Sequence, residues 1–180
     1  MSDASRVGVL LLTFGSAVTS ADVPAYLRSV RGGREPSADL VAEFARRFDV
    51  IGRSPLIDIT LEQAEGLERR LNTDDGEHTF AVAAGMLHSQ PRVVDSLRRL
   101  VADGAERVVA IVLAPQYSPL ILTGYERTLN AAAAEVAPLV PLRTAGAWHT
   151  TDSWIASLAS RVDEALAAFD ATDRDGVAIV

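Results

Sequence analysis

The chain contains no cysteine. That excludes disulfides, thiolate zinc sites and iron–sulfur ligation by its own residues, and makes a reducing, cytoplasmic setting the expectation. No run approaches the ~20 uninterrupted apolar residues that a membrane span requires. A signal-peptide pattern is missing as well, since Asp3 and Arg6 flank a short apolar run that reads as a strand. Positive charge is in deficit: 17 Lys+Arg against 24 Asp+Glu give a net charge of −7, which argues against a nucleic-acid partner. The familiar chemical motifs are lacking too. There is no GxGxxG, no GK[ST], no GxSxG elbow and no HExxH. No pair of carboxylates sits at the end of a predicted strand, so the chain shows no complete catalytic set.

What the sequence does contain is an alternation of short apolar runs and amphipathic helical patterns. Residues 7–13 (VGVLLLT), 79–85 (TFAVAAG), 107–114 (RVVAIVLA), 140–146 (VPLRTAG) and 176–180 (GVAIV) read as strands. Most are apolar at consecutive positions, the pattern of strands buried on both faces of a parallel sheet. Helices are expected after Ser20 and Ser37, and after Thr60, which with Gln63 fits a capping box. Another begins around Pro91 and stops at Gly104, and two more cover residues near 123–137 and 151–169. Strand, crossover helix and strand in succession predict an α/β fold: a three-layer, doubly wound parallel sheet of four to five strands flanked by helices. Residues 1–180 read as a single domain. The run GVAIV reaches Val180 inside what looks like a core strand. One reading is an edge strand that happens to be last; the sharper expectation is the first part of a longer protein.

Ligands of open α/β sheets bind beyond the carboxyl ends of the strands. Those ends are TFGS (13–16), GMLHS (85–89), PQYS (115–118) and GAWH (146–149), which would gather histidines, aromatics and hydroxyls on one rim. Such a mixture suits a large flat ligand, apolar in the middle and charged at its edge. Residues 28–53 carry Arg28, Arg31, Arg34, Arg46, Arg47 and Arg53 against four carboxylates. Guanidinium groups there can meet an anionic ligand edge, or can serve only as ion-paired helix faces. Arg31, between two helices in RGGRE, is the hardest to read as a helix face. Gly15 permits a tight turn after the first strand, although no phosphate-loop consensus follows it. His88 and His149 are candidate metal ligands or acid/base groups, against the plainer reading of structural histidines.

Four blocks in order, LLLTFGSAVTSADVPAYLRSVRGGREPS, FDVIGRSPLIDITLEQAEGLERRL, GMLHSQPRVVDSL and IVLAPQYSPLILTGYERTLNAAAAE, resemble the ferrochelatases. These enzymes insert ferrous iron into a porphyrin in haem biosynthesis. The resemblance implies a porphyrin cleft between two similar lobes, of which this chain would be the N-terminal one, with no cofactor beyond the substrates iron and porphyrin. It implies porphyrin-binding roles for Phe14, Arg31, Arg47, Ser54 and Tyr125, and places His88 near the metal. Phe14 stands where short bacterial members often carry a tyrosine able to approach the iron, a contact phenylalanine cannot make. The family's catalytic histidine, in an HS-x-P motif, and its partner carboxylate would fall beyond Val180. HSQP at 88–91 imitates that motif but belongs to the first-lobe block.

The resemblance therefore implies one wall of a site for coproporphyrin III or protoporphyrin IX, inactive as the isolated chain. The open face would be covered by a C-terminal lobe or by self-association. Two alternatives stay open: a half-size chelatase working as a homodimer with His88 as base, and a non-catalytic tetrapyrrole-binding module.

Overall fold

Strand β1 (Ser5–Thr13) organises the sheet, because Val7 through Leu12 are buried without interruption. An isolated pair of strands could not cover both faces and both edges of such a run; a central position in a layered sheet does. The structure, a computed structural model, describes residues 5–73, 76–116 and 118–169. These divide into two compact units, one formed by residues 5–73, 76–114 and 118–145 and the other by residues 115–116 and 146–169.

In the larger unit β1 pairs in parallel with β2 (His78–Met86) on one side and β3 (Arg107–Val112) on the other. A short β4 (Leu142–Thr144) adds to β3, giving the order β2-β1-β3-β4. Alternate residues of the strands feed two cores. Leu10, Leu12, Ala81, Ala83, Val108 and Ala110 face Val93, Leu97 and Leu100 of α4 (Val93–Ala102) and Tyr125 and Leu129 of α5 (Pro119–Val136). Val9, Leu11, Val82, Ala84 and Met86 face Ala64 and its neighbours on α3 (Leu56–Leu71). The three-layer parallel α/β architecture expected from the apolar runs is thus present, with four strands among the described residues. The fifth expected strand, 176–180, lies outside them. A third apolar cluster joins Val23 and Leu27 of α1 (Val23–Val30) to Phe44 and Phe48 of α2 (Ala38–Ile51).

The edge strand β2 would expose a row of unpaired backbone groups, a template for unwanted strand addition. Side chains occupy that row instead. Asn72 accepts from the Phe80 N–H and donates to its carbonyl, both at 2.9 Å. Glu68 accepts from Val82 N–H at 2.7 Å, Ser96 donates to the Ala84 carbonyl at 2.5 Å, and Met86 N–H donates to the Pro91 carbonyl at 2.8 Å. Gly85 lets α4 close in, since a β-carbon there would lie 3.0 Å from the Cα of Val93.

Several element boundaries differ from the sequence reading. Helix α3 starts at Leu56, four residues before the expected cap, and Thr60 is buried within it, its hydroxyl donating to the Leu56 carbonyl at 2.7 Å. A threonine hydroxyl can bond one turn back as readily as it caps, so TLEQ was a false start signal. Helix α5 begins at Pro119 rather than near 123, because proline lacks only an N–H that the first turn leaves unpaired anyway. A single 3-10 turn, 20–22, precedes α1, and Ser20 lies within that turn. Pro91 precedes α4 instead of opening it, its carbonyl being taken by Met86. Ser37 caps α2 as expected, accepting from the Leu40 N–H.

The smaller unit contains α6 (Asp152–Ala167), with Trp148 and Trp154 packed edge to face at 5.0 Å between ring centroids. Among the described residues no helix is long and apolar enough to cross a membrane.

Leu97 is fully buried between α4 and the sheet. Leu97→Ala is expected to lower stability by about 2–5 kcal/mol through lost burial and a residual cavity, read as a shift in the urea midpoint at unchanged slope.

Candidate functional site

The chain reverses its direction of strand addition around β1: β2 goes to one side, β3 to the other. The crevice beyond the strand ends at such a switch point is where open α/β sheets take their ligands. Backbone pairing continues past the strands into this crevice. Leu87 N–H donates to the Thr13 carbonyl and His88 N–H to the Phe14 carbonyl, both at 3.1 Å. Phe14 and His88 are therefore held side by side by the main chain, and their rings meet edge-on at 4.4 Å.

The turns after β1 and β2 also interlock. Gly15 has φ +87°, and a β-carbon there would fall 2.1 Å from the Ser89 hydroxyl oxygen, so only glycine fits. That oxygen accepts the Ser16 N–H at 3.1 Å. A donor that a phosphate loop would aim at its ligand is already used, which explains the missing consensus beyond Gly15.

His88 is fixed on a second side by α1, where the Ser29 hydroxyl lies 3.0 Å from its Nδ1. Only Nε2 is left for a ligand or a proton. Burial, and secondarily the positive charge of Arg92, push its pKa below the ordinary 6.5, so the ring is neutral at neutral pH. Among the described residues no group of three or more His, Asp or Glu side chains could hold a metal ion, so His88 is not part of such a cluster there.

Phe14, Leu87 and His88 form one wall of a cavity of about 490 Å³; Leu120, Ile121, Gly124, Tyr125, Arg127 and Thr128 of α5 form the other. Tyr125 has its ring in the core at 4% exposure, yet it also lines this space. Burial raises its pKa to about 12, so its hydroxyl stays a neutral donor across the physiological range. Phe14, by contrast, keeps 41% of its surface exposed, and Leu120 93%. An aromatic face and an aliphatic residue left in solvent beside a cavity mark a place where apolar surface awaits a partner.

Of the residues singled out from the sequence, Phe14, His88 and Tyr125 come together here. Arg31, Arg47 and Ser54 lie outside the cavity lining. Arg31 ends α1 in solvent, and its guanidinium has no ion pair or hydrogen bond among the described residues. Arg47 pairs with Glu43 at 2.9 Å and lies over the Phe44 ring. Ser54 donates its N–H to the Val18 carbonyl, and its hydroxyl accepts from Leu56 N–H at the start of α3. Val18 lines a smaller cavity of about 350 Å³ that shares His88 with the first. Arg28, Arg46 and Arg53 pair with Glu35, Glu43 and Asp58 respectively. Pro115, Gln116 and GAWH belong to the smaller unit, and Tyr117 lies outside the described residues.

The sequence reading missed Ser29 and the α5 face. The spacing of 120, 121, 124, 125 and 128 is the helical signature of one face, but 120 and 121 join it only once the helix is started at Pro119.

His88 predicts a pH effect. Between its lowered folded pKa and the ordinary 6.5 the unfolded chain binds more protons, so stability falls as pH drops through that window. An NMR titration should give His88 a midpoint below 6.5; a midpoint at or above it would contradict the burial argument.

The sequence is also similar to known proteins. The ferrochelatase family model matches residues 6–180. The coproporphyrin III ferrochelatase of Geobacillus sp. (strain WCH70) is 32% identical over 176 residues, covering 97% of this chain and 56% of the relative. That of Listeria monocytogenes serotype 4b is 32% identical over 160 residues, with 88% and 52% covered. The Bacillus subtilis (strain 168) enzyme of the same name is 27% identical over 176 residues, with 97% and 56% covered. The chain thus spans about half the length of the curated relatives it matches, and with a family match over nearly all its residues it belongs to the ferrochelatase family.

Proposed function

We propose that this chain forms one wall of the porphyrin site of a ferrochelatase, the N-terminal lobe of a two-lobed enzyme that inserts ferrous iron into coproporphyrin III or protoporphyrin IX. The observation that carries the reading is the cavity at the switch point, with exposed Phe14 on one side and the Tyr125 face of α5 on the other. An aromatic ring left in solvent stacks on a flat macrocycle, and a neutral tyrosine donor suits the macrocycle's acidic rim.

In this reading Phe14 packs on the ring system and Tyr125 and Ser54 donate hydrogen bonds to propionates. Arg31, which has no ion pair among the described residues, attracts a propionate directly; Arg47 does so by exchanging Glu43 for it. His88 Nε2 faces the metal side, with Ser29 holding the other nitrogen. Iron is a substrate, and two pyrrole protons leave as it enters. Bending the ring toward the metal and removing those protons requires groups on opposite faces of the macrocycle. The residues assigned here supply one face. The relatives' names give iron chelation into coproporphyrin III, and their sequences extend well past the matched half.

The test is a fluorescence titration of the 180-residue chain with coproporphyrin III, followed by an iron-insertion assay. Saturable binding is expected, weakened about five- to tenfold by Phe14→Ala, the worth of one aromatic contact. Negligible iron insertion is expected from this chain alone. Turnover at the rate of a two-lobed enzyme would overturn the one-wall reading. Turnover confined to a dimer in gel filtration would favour the half-size chelatase instead.

A further inference from the structure

Six arginines among the described residues pair with a carboxylate within helical reach. Arg46 and Arg47 share Glu43, Arg69 has Glu65, Arg98 has Asp95, Arg99 has Asp103 and Arg161 has Glu164, all at spacings of three or four. Arg127 is different. On α5 its neighbours at those spacings are Thr123, Gly124, Asn130 and Ala131. No ion pair or hydrogen bond engages its guanidinium among the described residues, and it lines the cavity behind Phe14. Besides His88, which is neutral at neutral pH, it is the one basic side chain in that lining.

One turn before it stands Gly124, in the interior of α5. Glycine there costs the helix about 1 kcal/mol relative to alanine. No packing constraint among the described residues demands it, because a β-carbon at Gly124 would meet none of them within 4 Å. The open space above it belongs to the cavity. An unspent cation thus stands one turn along from a bare stretch of helix, on a wall that faces an exposed aromatic ring.

We propose that Arg127 is a carboxylate-binding residue of this cavity, gripping an acidic substituent of a flat ligand whose ring lies over the gap at Gly124. This deepens the proposed function and rests on it. It assigns one propionate of the macrocycle to α5, apart from the arginines of α1 and α2. The guanidinium fork offers two parallel N–H donors to a carboxylate and gains nothing from a neutral ester or amide. Arg127 is a binding residue in this account and takes no part in proton transfer.

The experiment compares coproporphyrin III with its tetra-amide, the same ring with a neutral rim, by fluorescence titration of the wild-type chain, Arg127→Ala and Gly124→Ala. Thermal unfolding of each variant checks the fold. Arg127→Ala is expected to weaken binding of the tetra-acid about tenfold, leave the tetra-amide unchanged, and flatten the salt dependence of the tetra-acid curve. Gly124→Ala is expected to raise thermal stability and weaken both ligands, since its methyl group intrudes on the ring rather than the rim. Equal effects of Arg127→Ala on both ligands, or none on either, would overturn the assignment while leaving the porphyrin site standing. Failure of the wild-type chain to bind either ligand would overturn the porphyrin reading and this inference with it.

Discussion

Everything at the site hangs on the backbone pairing of β1 with β2 and β3 in one parallel register. Leu10 lies opposite Ala83 on one side and Ala110 on the other, and the pairing runs on past the strands until His88 N–H reaches the Phe14 carbonyl. Parallel strands in register deliver all their carboxyl ends to the same rim. Because β1 is buried from Val7 to Leu12, slipping it by one residue would exchange the side chains of its two cores. Hydrophobic burial in the sheet and chemical placement at its rim are consequences of the same constraint.

That rim joins a rigid wall to an unsatisfied one. On the β1–β2 side, Phe14, Gly15, His88 and Ser89 are locked by main-chain bonds, by the Ser16–Ser89 contact and by Ser29. On the α5 side, Leu120 and Ile121 stand in solvent, Gly124 is bare, and Arg127 lacks a counter-ion among the described residues. A fixed aromatic edge opposite an exposed apolar and cationic helix is a pre-organised half of a binding site. The ordering cost of the first wall is met by folding, before any ligand arrives.

How much of this could be read from the residues varies with the range of the interaction. Strand β1 was legible because six consecutive apolar positions have one explanation in an α/β chain. The Arg46–Glu43 pair was within reach of the sequence, since helical spacing is a local property, whereas Arg28 pairs with Glu35 in the loop that follows α1. Thr60 misled because the same hydroxyl can cap a helix or bond within one. The start of α5 was set too late because Pro119-Leu-Ile-Leu-Thr carries β-branched residues after a loop, and tertiary packing overrides that weak local preference. The late start left out the first turn, with Leu120 and Ile121. The Ser29–His88 contact joins residues 59 apart, and no local pattern announces it. The cavity itself is a product of the strand order, which periodicity does not encode.

The most direct test of the central claim is a two-dimensional amide NMR spectrum of the chain with and without coproporphyrin III. A macrocycle seated between β1 and α5 should give ring-current shifts at the amides of Phe14, His88, Gly124 and Arg127 together. Shifts confined to other parts of the chain, or none at saturating ligand, would contradict a porphyrin site at this rim.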